Sequence, residues 1–269
     1  MHERGVLTAM YTVLVGVLFV CAAVFVAVMG LALVERVVSW ESRRKHSDVA
    51  GFIHAVVGIT YAVLLGLLVI AVWGSYEAAR NTVRSEANEL AEIFWLADRL
   101  PASKGQQIQS LARSYAEVVV EEEWPMMEQR RKAGSPRAWA LVDDMRQELQ
   151  GYEPRTKGEQ VLYQEAMDRV HDFANARRMR LEEAEEGIPT ILWLVLVIGG
   201  ISTLGFTYLF GMENTWAHRL MVATLAMVIA LVLFTVGVME YPFSGGARIG
   251  PGAFELILER FETSKLSNL

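Results

Sequence analysis

Residues 58–80 read GITYAVLLGLLVIAVWGSYEAAR, a segment that begins as an apolar stretch and ends as a charged helix surface, with no turn residue between. Its aliphatic side chains recur at spacings of three and four. They include Ile59, Val63, Leu67 and Ile70. At about 100° per residue, these four side chains fall within an arc of about 80°. The pattern predicts one helix that runs out of the membrane into water and carries an aliphatic stripe.

Four apolar runs are each long enough to cross a bilayer, for which about 20 helical residues suffice. The chain is 53% hydrophobic with a mean hydropathy of +0.27, which is too apolar for an ordinary soluble protein. The predicted spans are 6–34, 50–74, 188–211 and 219–239. The first is interpreted as a span because it is about twice as long as a signal-peptide core and no small-residue cleavage site follows it.

The region between the second and third spans, residues 75–187, is predicted to be helical and outside the membrane. Apolar residues from Val83 to Ala97 recur at alternating spacings of four and three, which is typical of a helix-packing seam, and Pro101 ends that helix. Two pairs have the form of capping boxes, namely Ser103 with Gln106 and Thr156 with Glu159.

No alternating strand pattern occurs in the sequence. The predicted fold class is therefore all-α, a four-span transmembrane bundle with helical extramembrane extensions and a C-terminal tail at 240–269. We expect residues 1–269 to form a single domain.

The sequence contains none of the motifs that mark common enzymes. HExxH, GxSxG, a phosphate-binding loop and His/Cys clusters with metal spacing are all missing. Cys21 stands alone inside the first span, so neither a disulfide framework nor a thiolate metal site is predicted. The net charge is −6, without a basic nucleic-acid footprint. We predict no enzymatic activity, cofactor, metal or nucleic-acid partner.

Two features allow more than one interpretation. His54 is the only acidic or basic residue in the interior of a predicted span, and such residues are functional candidates, although its position near the interface favours simple snorkelling. The run Glu121-Glu122-Glu123-Trp124-Pro125 would make an acidic ring if copies assembled about an axis. A solvated helix end is the interpretation that such a run favours.

The aliphatic stripe of the second span also has two interpretations. Gly58, Gly66 and Gly74 lie along its side or margin, and small residues let membrane helices approach closely. The stripe then serves as a tight packing face. Alternatively, several copies surround an axis and the aliphatic side chains form a hydrophobic constriction that gates by dewetting. Periodicity alone does not choose between them.

Five stretches resemble a known family. They are HSDVAGFIHAVVGITYAVLLGL, AVWGSYEAARNTVRSEANELAEIFWLADRLP, EEEWP, ARRMRL and YPFSGGARIGPGAF. Over about residues 45–260, the chain resembles the bacterial bestrophin-like family, catalogued as a domain of unknown function. More distantly, GITYAVLLGL followed by WGSYEAAR is similar to the pore helix of bestrophin ion channels.

That similarity implies a homopentameric ion channel in the lipid bilayer, without enzymatic activity. Ile59, Val63 and Leu67 would occupy the three hydrophobic neck positions of the pore. Gly58, Gly66 and Gly74 would let the helices pack closely around it. Bestrophins commonly have aromatic residues in the neck, so the aliphatic side chains here leave pore width and ion selectivity open.

The segment Tyr241-Pro242-Phe243-Ser244-Gly245 resembles the Asn-Pro-Phe-Gly segment that follows the last bestrophin span. In animal bestrophins an acidic calcium-binding cluster comes next, whereas this chain continues GARIGPG. Oxygen ligands at the spacing of a calcium site are missing from that stretch. We therefore expect no calcium gating.

Basic residues give conflicting indications of orientation. The loop after the first span is basic, and the positive-inside rule applied there places that loop in the cytoplasm. The other side has more basic residues near the predicted spans. They include Arg80, Arg84, Arg177, Arg178 and Arg180. The totals and the resemblance predict a cell-membrane protein with both termini and 75–187 in the cytoplasm.

With that orientation, Arg43, Arg44 and Lys45 face outward as a ring of positive charge at the pore mouth. Such a ring concentrates anions, so chloride is slightly favoured as the permeant ion. The leading hypothesis is thus an oligomeric ion channel. The alternatives are a non-conducting membrane scaffold or sensor whose helical soluble region binds a partner, and an unrecognised membrane enzyme.

Overall fold

The computed structural model describes residues 2–44, 47–129 and 134–267, and every regular element in these ranges is helical. The helices are α1 (His2–Val37), α2 (Trp40–Arg44), α3 (Ser47–Leu96), α4 (Ala102–Val118), α5 (Trp124–Glu128), α6 (Pro136–Gln150), α7 (Lys157–Glu185), α8 (Thr190–Thr207), α9 (Thr215–Met239) and α10 (Gly252–Ser267). A 3₁₀ turn at Ala97–Arg99 follows α3, and a π-helical turn at Val119–Glu123 joins α4 to α5. The all-α prediction is confirmed.

Four helical segments are long and apolar enough to cross a membrane, as predicted. They are Met10–Val37, Val49–Arg99, Thr190–Thr207 and Thr215–Met239. The chain divides into two compact units, of which the first, here the membrane unit, comprises residues 1–74, 187–240 and 245–247. The single domain expected over residues 1–269 stays a prediction.

In the membrane unit, α1 packs against α9. The contact centres on four buried apolar residues, Ala27, Leu31, Val222 and Ala226. The third span ends at Thr207 rather than at the predicted residue 211. Two hydrogen bonds connect the end of this span to α1 and α9. Tyr208 donates its hydroxyl to the carbonyl of Ala27 at 2.8 Å. A ring nitrogen of His218, Nε2, lies 2.9 Å from the carbonyl oxygen of Thr207. The His218 contact thus provides a polar partner for a carbonyl in the last turn of α8, where intrahelical partners run out.

One aromatic side chain joins the second span to the third. Tyr61 on α3 is buried and donates its hydroxyl to the carbonyl of Leu196 on α8 at 3.0 Å. A Cβ atom added to Gly199 would lie 2.6 Å from Cδ2 of Tyr61, and one added to Gly200 would lie 3.0 Å from the hydroxyl oxygen. Both glycines are thus required by the close approach of the tyrosine ring.

The second unit, here the soluble unit, comprises residues 75–186, 241–244 and 248–269. The predicted seam of α3 is confirmed, because its five apolar residues are all buried. They are Val83, Ala87, Leu90, Phe94 and Ala97. Phe94 stacks on Phe261 of α10 with ring centroids 3.9 Å apart. The packing side of α3 therefore forms part of this unit's core.

The two predicted capping boxes have different outcomes. Thr156 precedes α7 and accepts a hydrogen bond from the backbone N–H of Glu159 at 3.1 Å, as predicted. The capping box predicted for Ser103 and Gln106 was wrong, because α4 begins at Ala102, two residues before the start that a cap at Ser103 would give. Pro101 precedes the helix, without a side-chain cap.

Candidate pore-lining face

The aliphatic stripe of α3 is exposed along the second span. The exposed fractions are 68% for Ile59, 55% for Val63 and 61% for Leu67. A single chain therefore leaves these side chains outside its core, even though burial of apolar surface stabilises by about 25 cal/mol per Å². The stripe is free to meet lipid, another copy of the chain or a narrow pore.

The glycines beside the stripe face open space. A Cβ atom built on Gly58, Gly66 or Gly74 meets nothing within 4 Å in the part of the chain that the structure describes. Gly199 and Gly200 differ, because a Cβ atom on either would lie against the ring of Tyr61. Contacts within one chain thus do not explain why these three positions are glycine. Their role in packing helices around a pore stays a prediction that requires further copies.

The predicted pore-mouth cations have distinct surroundings. Arg43 is only 5% exposed, and its Nη1 donates to the carbonyls of Tyr208 and Phe210 at 3.3 Å each, just after α8 ends. Arg44 is exposed, and its Nη1 lies 3.1 Å from a carboxylate oxygen of Glu213. Lys45 lies outside the described residues. The pore-mouth role stays a prediction, with Arg44 the more accessible of the two described arginines.

His54, the ionisable residue inside the second span, packs against an aromatic ring rather than extending alone. Its ring meets that of Phe210 edge-on, with centroids 5.6 Å apart. Its Nδ1 is buried and has no hydrogen-bond partner among the described residues. These contacts do not support the snorkelling interpretation.

A charge cluster that the sequence interpretation missed lies at the centre of the soluble unit. Its five members, here the buried charge cluster, all have fully buried side chains. They are Glu86 of α3, Tyr115 of α4, Glu123 of the π-helical turn, and Arg177 and Arg180 of α7. Two carboxylates and two guanidinium groups balance in charge.

The hydrogen bonds of the cluster form a connected network. Arg180 Nη2 donates to Glu86 Oε1 at 3.0 Å and to Glu123 Oε2 at 2.8 Å. The Tyr115 hydroxyl donates to Glu86 and accepts from Arg177 Nη1, the latter at 2.8 Å. Buried charges are tolerated when they are paired and hydrogen-bonded in this way. The network links α3, α4, the π-helical turn and α7.

Electrostatics within the cluster keeps its charges in place. Burial by itself would raise the pKa of Glu123, but hydrogen bonds and charge from Arg177 and Arg180 outweigh it, so that the pKa lies below its ordinary value. Burial, followed by the negative charge of Glu86, raises the pKa of Tyr115 well above its ordinary value. The carboxylate is therefore ionised and the phenol neutral at pH 7.

Two sequence interpretations are corrected by this cluster. The run 121–123 was interpreted as a solvated helix end, which is wrong for Glu123. Arg177 and Arg180 were counted as basic residues near the membrane, yet both are fully buried within the soluble unit. The sequence did contain a signal for a buried charge, because Glu86 lies on the same side of α3 as the apolar seam. Among the described residues, no group of three or more His, Cys, Asp or Glu side chains is placed to hold a metal.

The fold and its exposed spans define a class, an all-α multi-span membrane protein with a helical extramembrane unit. The model of the Bestrophin-like domain matches residues 6–254, so the chain belongs to the Bestrophin-like family. No curated protein matches the chain.

Solved structures with the same fold include bestrophin homologues. A mutant of the bacterial bestrophin homologue from Klebsiella pneumoniae is 14% identical, with a TM-score of 0.67, covering 90% of this chain and 97% of that one. Another structure of a bestrophin homologue from that organism is 14% identical, with a TM-score of 0.60, and the match covers 94% of this chain and 96% of that one. A structure described as a membrane protein is 14% identical, with a TM-score of 0.67, and the match covers 90% of this chain and 96% of that one. These similarities establish the fold.

Proposed function

We propose that the protein is an oligomeric ion channel whose hydrophobic neck is formed by Ile59, Val63 and Leu67 of α3. Membership of the Bestrophin-like family and the fold shared with bestrophin homologues support an ion-channel type of function. The observation that carries the proposal is the aliphatic stripe of α3, which is more than half exposed and has no partner for its glycines within the described chain.

The neck acts as a barrier because it offers an ion nothing in place of water. Aliphatic side chains have no hydrogen-bonding groups, so a passing ion loses hydration without compensation. Water between them is also poorly held, and a small change in width wets or dries the constriction. Gly58, Gly66 and Gly74 allow neighbouring helices to approach closely enough for the constriction to form.

The bestrophin resemblance supplies the finer parts of the proposal. Five copies surround the axis in the cell membrane, and both termini and residues 75–187 lie on the cytoplasmic side. Chloride is the favoured ion, and the protein has no catalytic role. Because Arg43 is engaged with carbonyl groups and Arg44 with Glu213, the loop after α1 supplies less free positive charge than its sequence suggests.

Particle imaging and ion flux together test this function. The purified protein in lipid nanodiscs is expected to show a five-fold ring with an axial hole. Liposomes containing it should release chloride faster than protein-free liposomes. A monomer or dimer with a closed bundle, together with flux no faster than that of empty liposomes, would favour the membrane scaffold instead.

A further inference from the structure

Polar contacts between α3 and α7 follow one another along the two helices inside the soluble unit. They include Glu89 with Arg169, Glu86 with Arg180, and Thr82 with Glu183. Residue numbers fall along α3 while they rise along α7, so the contacts are successive steps between helices that run in opposite directions. In the first two contacts a carboxylate meets a guanidinium group. In the third, a carboxyl group meets only a hydroxyl.

The contact between Thr82 and Glu183 is largely shielded from water. Thr82 is 7% exposed, and Glu183 is half-buried. Oε1 of Glu183 lies 3.1 Å from the Thr82 hydroxyl oxygen, whereas Oε2 is buried and has no hydrogen-bond partner among the described residues. A buried oxygen without a partner costs more free energy when its group is charged than when it is neutral. These surroundings therefore favour the neutral carboxylic acid.

The Thr82 hydroxyl has a single hydrogen for two neighbours. Its oxygen lies 3.1 Å from the carbonyl oxygen of Ala78 and 3.1 Å from Glu183. When Glu183 is ionised, both neighbours are acceptors, so one of the two contacts lacks a hydrogen. When Glu183 is protonated, its carboxyl O–H donates to Thr82, and Thr82 donates to Ala78. Only the protonated form makes a hydrogen bond of each contact.

Charged groups near α7 are paired with one another rather than with Glu183 in the described ranges. They comprise the buried charge cluster, whose own charges balance, Glu89 with Arg169, and Arg137 of α6 with Glu122. On α7 itself, Glu182 and Glu186 add negative charge next to Glu183. An ionised Glu183 would thus meet repulsion without a compensating cation.

We propose that Thr82 and Glu183 form a proton-dependent latch between α3 and α7, which is strongest when Glu183 carries a proton. Burial is the main cause that raises the pKa of Glu183 above its ordinary value. A hydrogen bond from Thr82 to the ionised carboxylate opposes this, but burial together with the charges of Glu186 and Glu182 outweighs it. The latch goes beyond the proposed channel function and does not depend on it.

The raised pKa fixes the direction of the pH effect. The stabilisation from Glu183 is complete below the unfolded pKa of about 4.3 and is lost as the pH rises through the folded pKa. Glu123 behaves in the opposite way, because its pKa is lowered and its contribution is lost in more acidic solution. The latch therefore tightens in mild acid, before the buried charge cluster weakens.

Replacement of Glu183 by glutamine tests the latch, because an uncharged amide resembles the protonated acid at every pH. The unfolding temperature of the whole purified protein is measured from neutral pH down to the unfolded pKa of about 4.3. At neutral pH Glu183→Gln should unfold at a higher temperature than the parent, and the two temperatures should converge as the pH falls. Asp172→Asn is the matched control, since Asp172 is exposed on the same helix. Its difference from the parent should stay constant.

Substitution of Thr82 tests the other half of the latch. Thr82→Val removes the hydroxyl and keeps the shape of the side chain. It should lower the unfolding temperature of the parent more than that of Glu183→Ala, because the second protein has already lost the contact. Equal effects in the two proteins would overturn the contact between these side chains.

Infrared difference spectra between acidic and neutral pH detect the proton directly. The parent should show a carboxylic acid band that persists above the unfolded pKa of about 4.3 and is missing from Glu183→Gln. Identical carboxylic acid bands in the two proteins would overturn the latch. So would a difference in unfolding temperature between the parent and Glu183→Gln that does not change with pH. Neither measurement involves ion flux, so these outcomes leave the proposed channel function standing.

Discussion

Arg177 holds Glu123 through two parallel hydrogen bonds, with Nη2 2.6 Å from Oε1 and Nη1 2.8 Å from Oε2, and both side chains are fully buried. This bidentate pairing fixes the relative orientation of the two side chains as well as their distance, which a single hydrogen bond does not. It joins the π-helical turn to α7. The pairing depends on the turn, which supplies Glu123, and on the rest of the buried charge cluster, which balances the charge.

Replacement of Arg177 by methionine should strongly destabilise the soluble unit. Removing one partner of a buried ion pair leaves the other charge uncompensated, which costs about 3–5 kcal/mol. The control is Arg178→Met, because Arg178 is exposed and its one hydrogen bond to a described residue is the local one to Asn175. Surface substitutions of this kind change stability by about 0.5 kcal/mol or less.

Tryptophan fluorescence during thermal unfolding measures this difference. Trp139, one of seven tryptophans in the chain, lies with its ring centroid 4.6 Å from the guanidinium carbon of Arg177, so part of the emission comes from beside the cluster. The unfolding temperature should fall markedly for Arg177→Met and stay near the parent value for Arg178→Met. Equal unfolding temperatures for the two variants would contradict the structural role of the pair.

The soluble unit should lose stability in acid. The pKa of Glu123 is lower in the folded state than the value of about 4.3 for a free glutamate, so the unfolded chain binds this proton first as pH falls. The stabilisation from Glu123 is complete above the unfolded pKa and is lost as pH falls through the folded pKa. Glu123→Gln removes this titration, so its unfolding temperature, although lower, should depend less on pH below about pH 4.5.

Unfolding temperatures measured from neutral to acidic pH test this expectation. The parent curve should fall steeply at the acidic end, and the Glu123→Gln curve should be flatter there. Glu122→Gln is a suitable control, because Glu122 is partly exposed and pairs with the exposed Arg137. Parallel curves for the parent and Glu123→Gln would show that acid acts elsewhere.

Leucine in place of Gly66 should alter assembly but leave the folded chain intact. A Cβ atom at Gly66 meets nothing within 4 Å in the described chain, so the added side chain obstructs only neighbouring copies. Gly58→Leu should behave in the same way. Gly199→Leu is the contrasting variant, because its Cβ atom would lie 2.6 Å from Tyr61 within one chain.

Light scattering in detergent gives the oligomer mass, and protein yield reports folding. Gly66→Leu is expected to give a normal yield and a smaller mass. Gly199→Leu is expected to give a poor yield. An unchanged mass for both Gly58→Leu and Gly66→Leu would remove this glycine face from the interface between copies.

Cysteine labelling tests the proposed orientation. Cys21 is replaced by Ser, and single cysteines are introduced at Ser42 and Ser103, both of which are exposed. In intact cells an impermeant thiol reagent should label position 42, because the loop after α1 is proposed to face outward. Position 103 should be labelled only after the membrane is permeabilised. The reverse pattern would overturn the orientation.

The spans and the seam of α3 were predictable because their signals are local. Twenty apolar residues in a row or a repeat of four and three can be recognised without knowing the neighbouring helices. The buried charge cluster was not predictable in this way, since Glu123 meets Arg177 and Arg180 only after distant segments fold together. An acidic run by itself indicates solvent exposure.

The end of the third span shows the same limit. Hydropathy continues to residue 211, but α8 stops at Thr207. Arg43, far earlier in the chain, donates to two backbone carbonyls in the turn that follows α8. Periodicity indicated the aliphatic stripe of α3, whereas the neck role of Ile59, Val63 and Leu67 came from the bestrophin resemblance. These side chains are exposed in one chain, and their assembly around an axis stays a prediction.

The most direct measurement of the central claim is chloride flux from liposomes that contain a triple variant, with Ile59, Val63 and Leu67 all changed to Ala. Smaller side chains widen and wet the neck, so flux should rise. The matched control changes three residues of the third span that are equally exposed. They are Leu194, Ile198 and Ile201. The control should conduct like the parent.

Side chains that line a pore touch little, so the triple variant should keep its oligomer mass and its unfolding temperature while it conducts more. Side chains packed in a core behave differently, because each Leu→Ala change there costs about 2–5 kcal/mol. Higher flux from an intact oligomer is the result that the hydrophobic neck predicts. A destabilised protein with no gain in flux would contradict it and would leave α3 a structural helix.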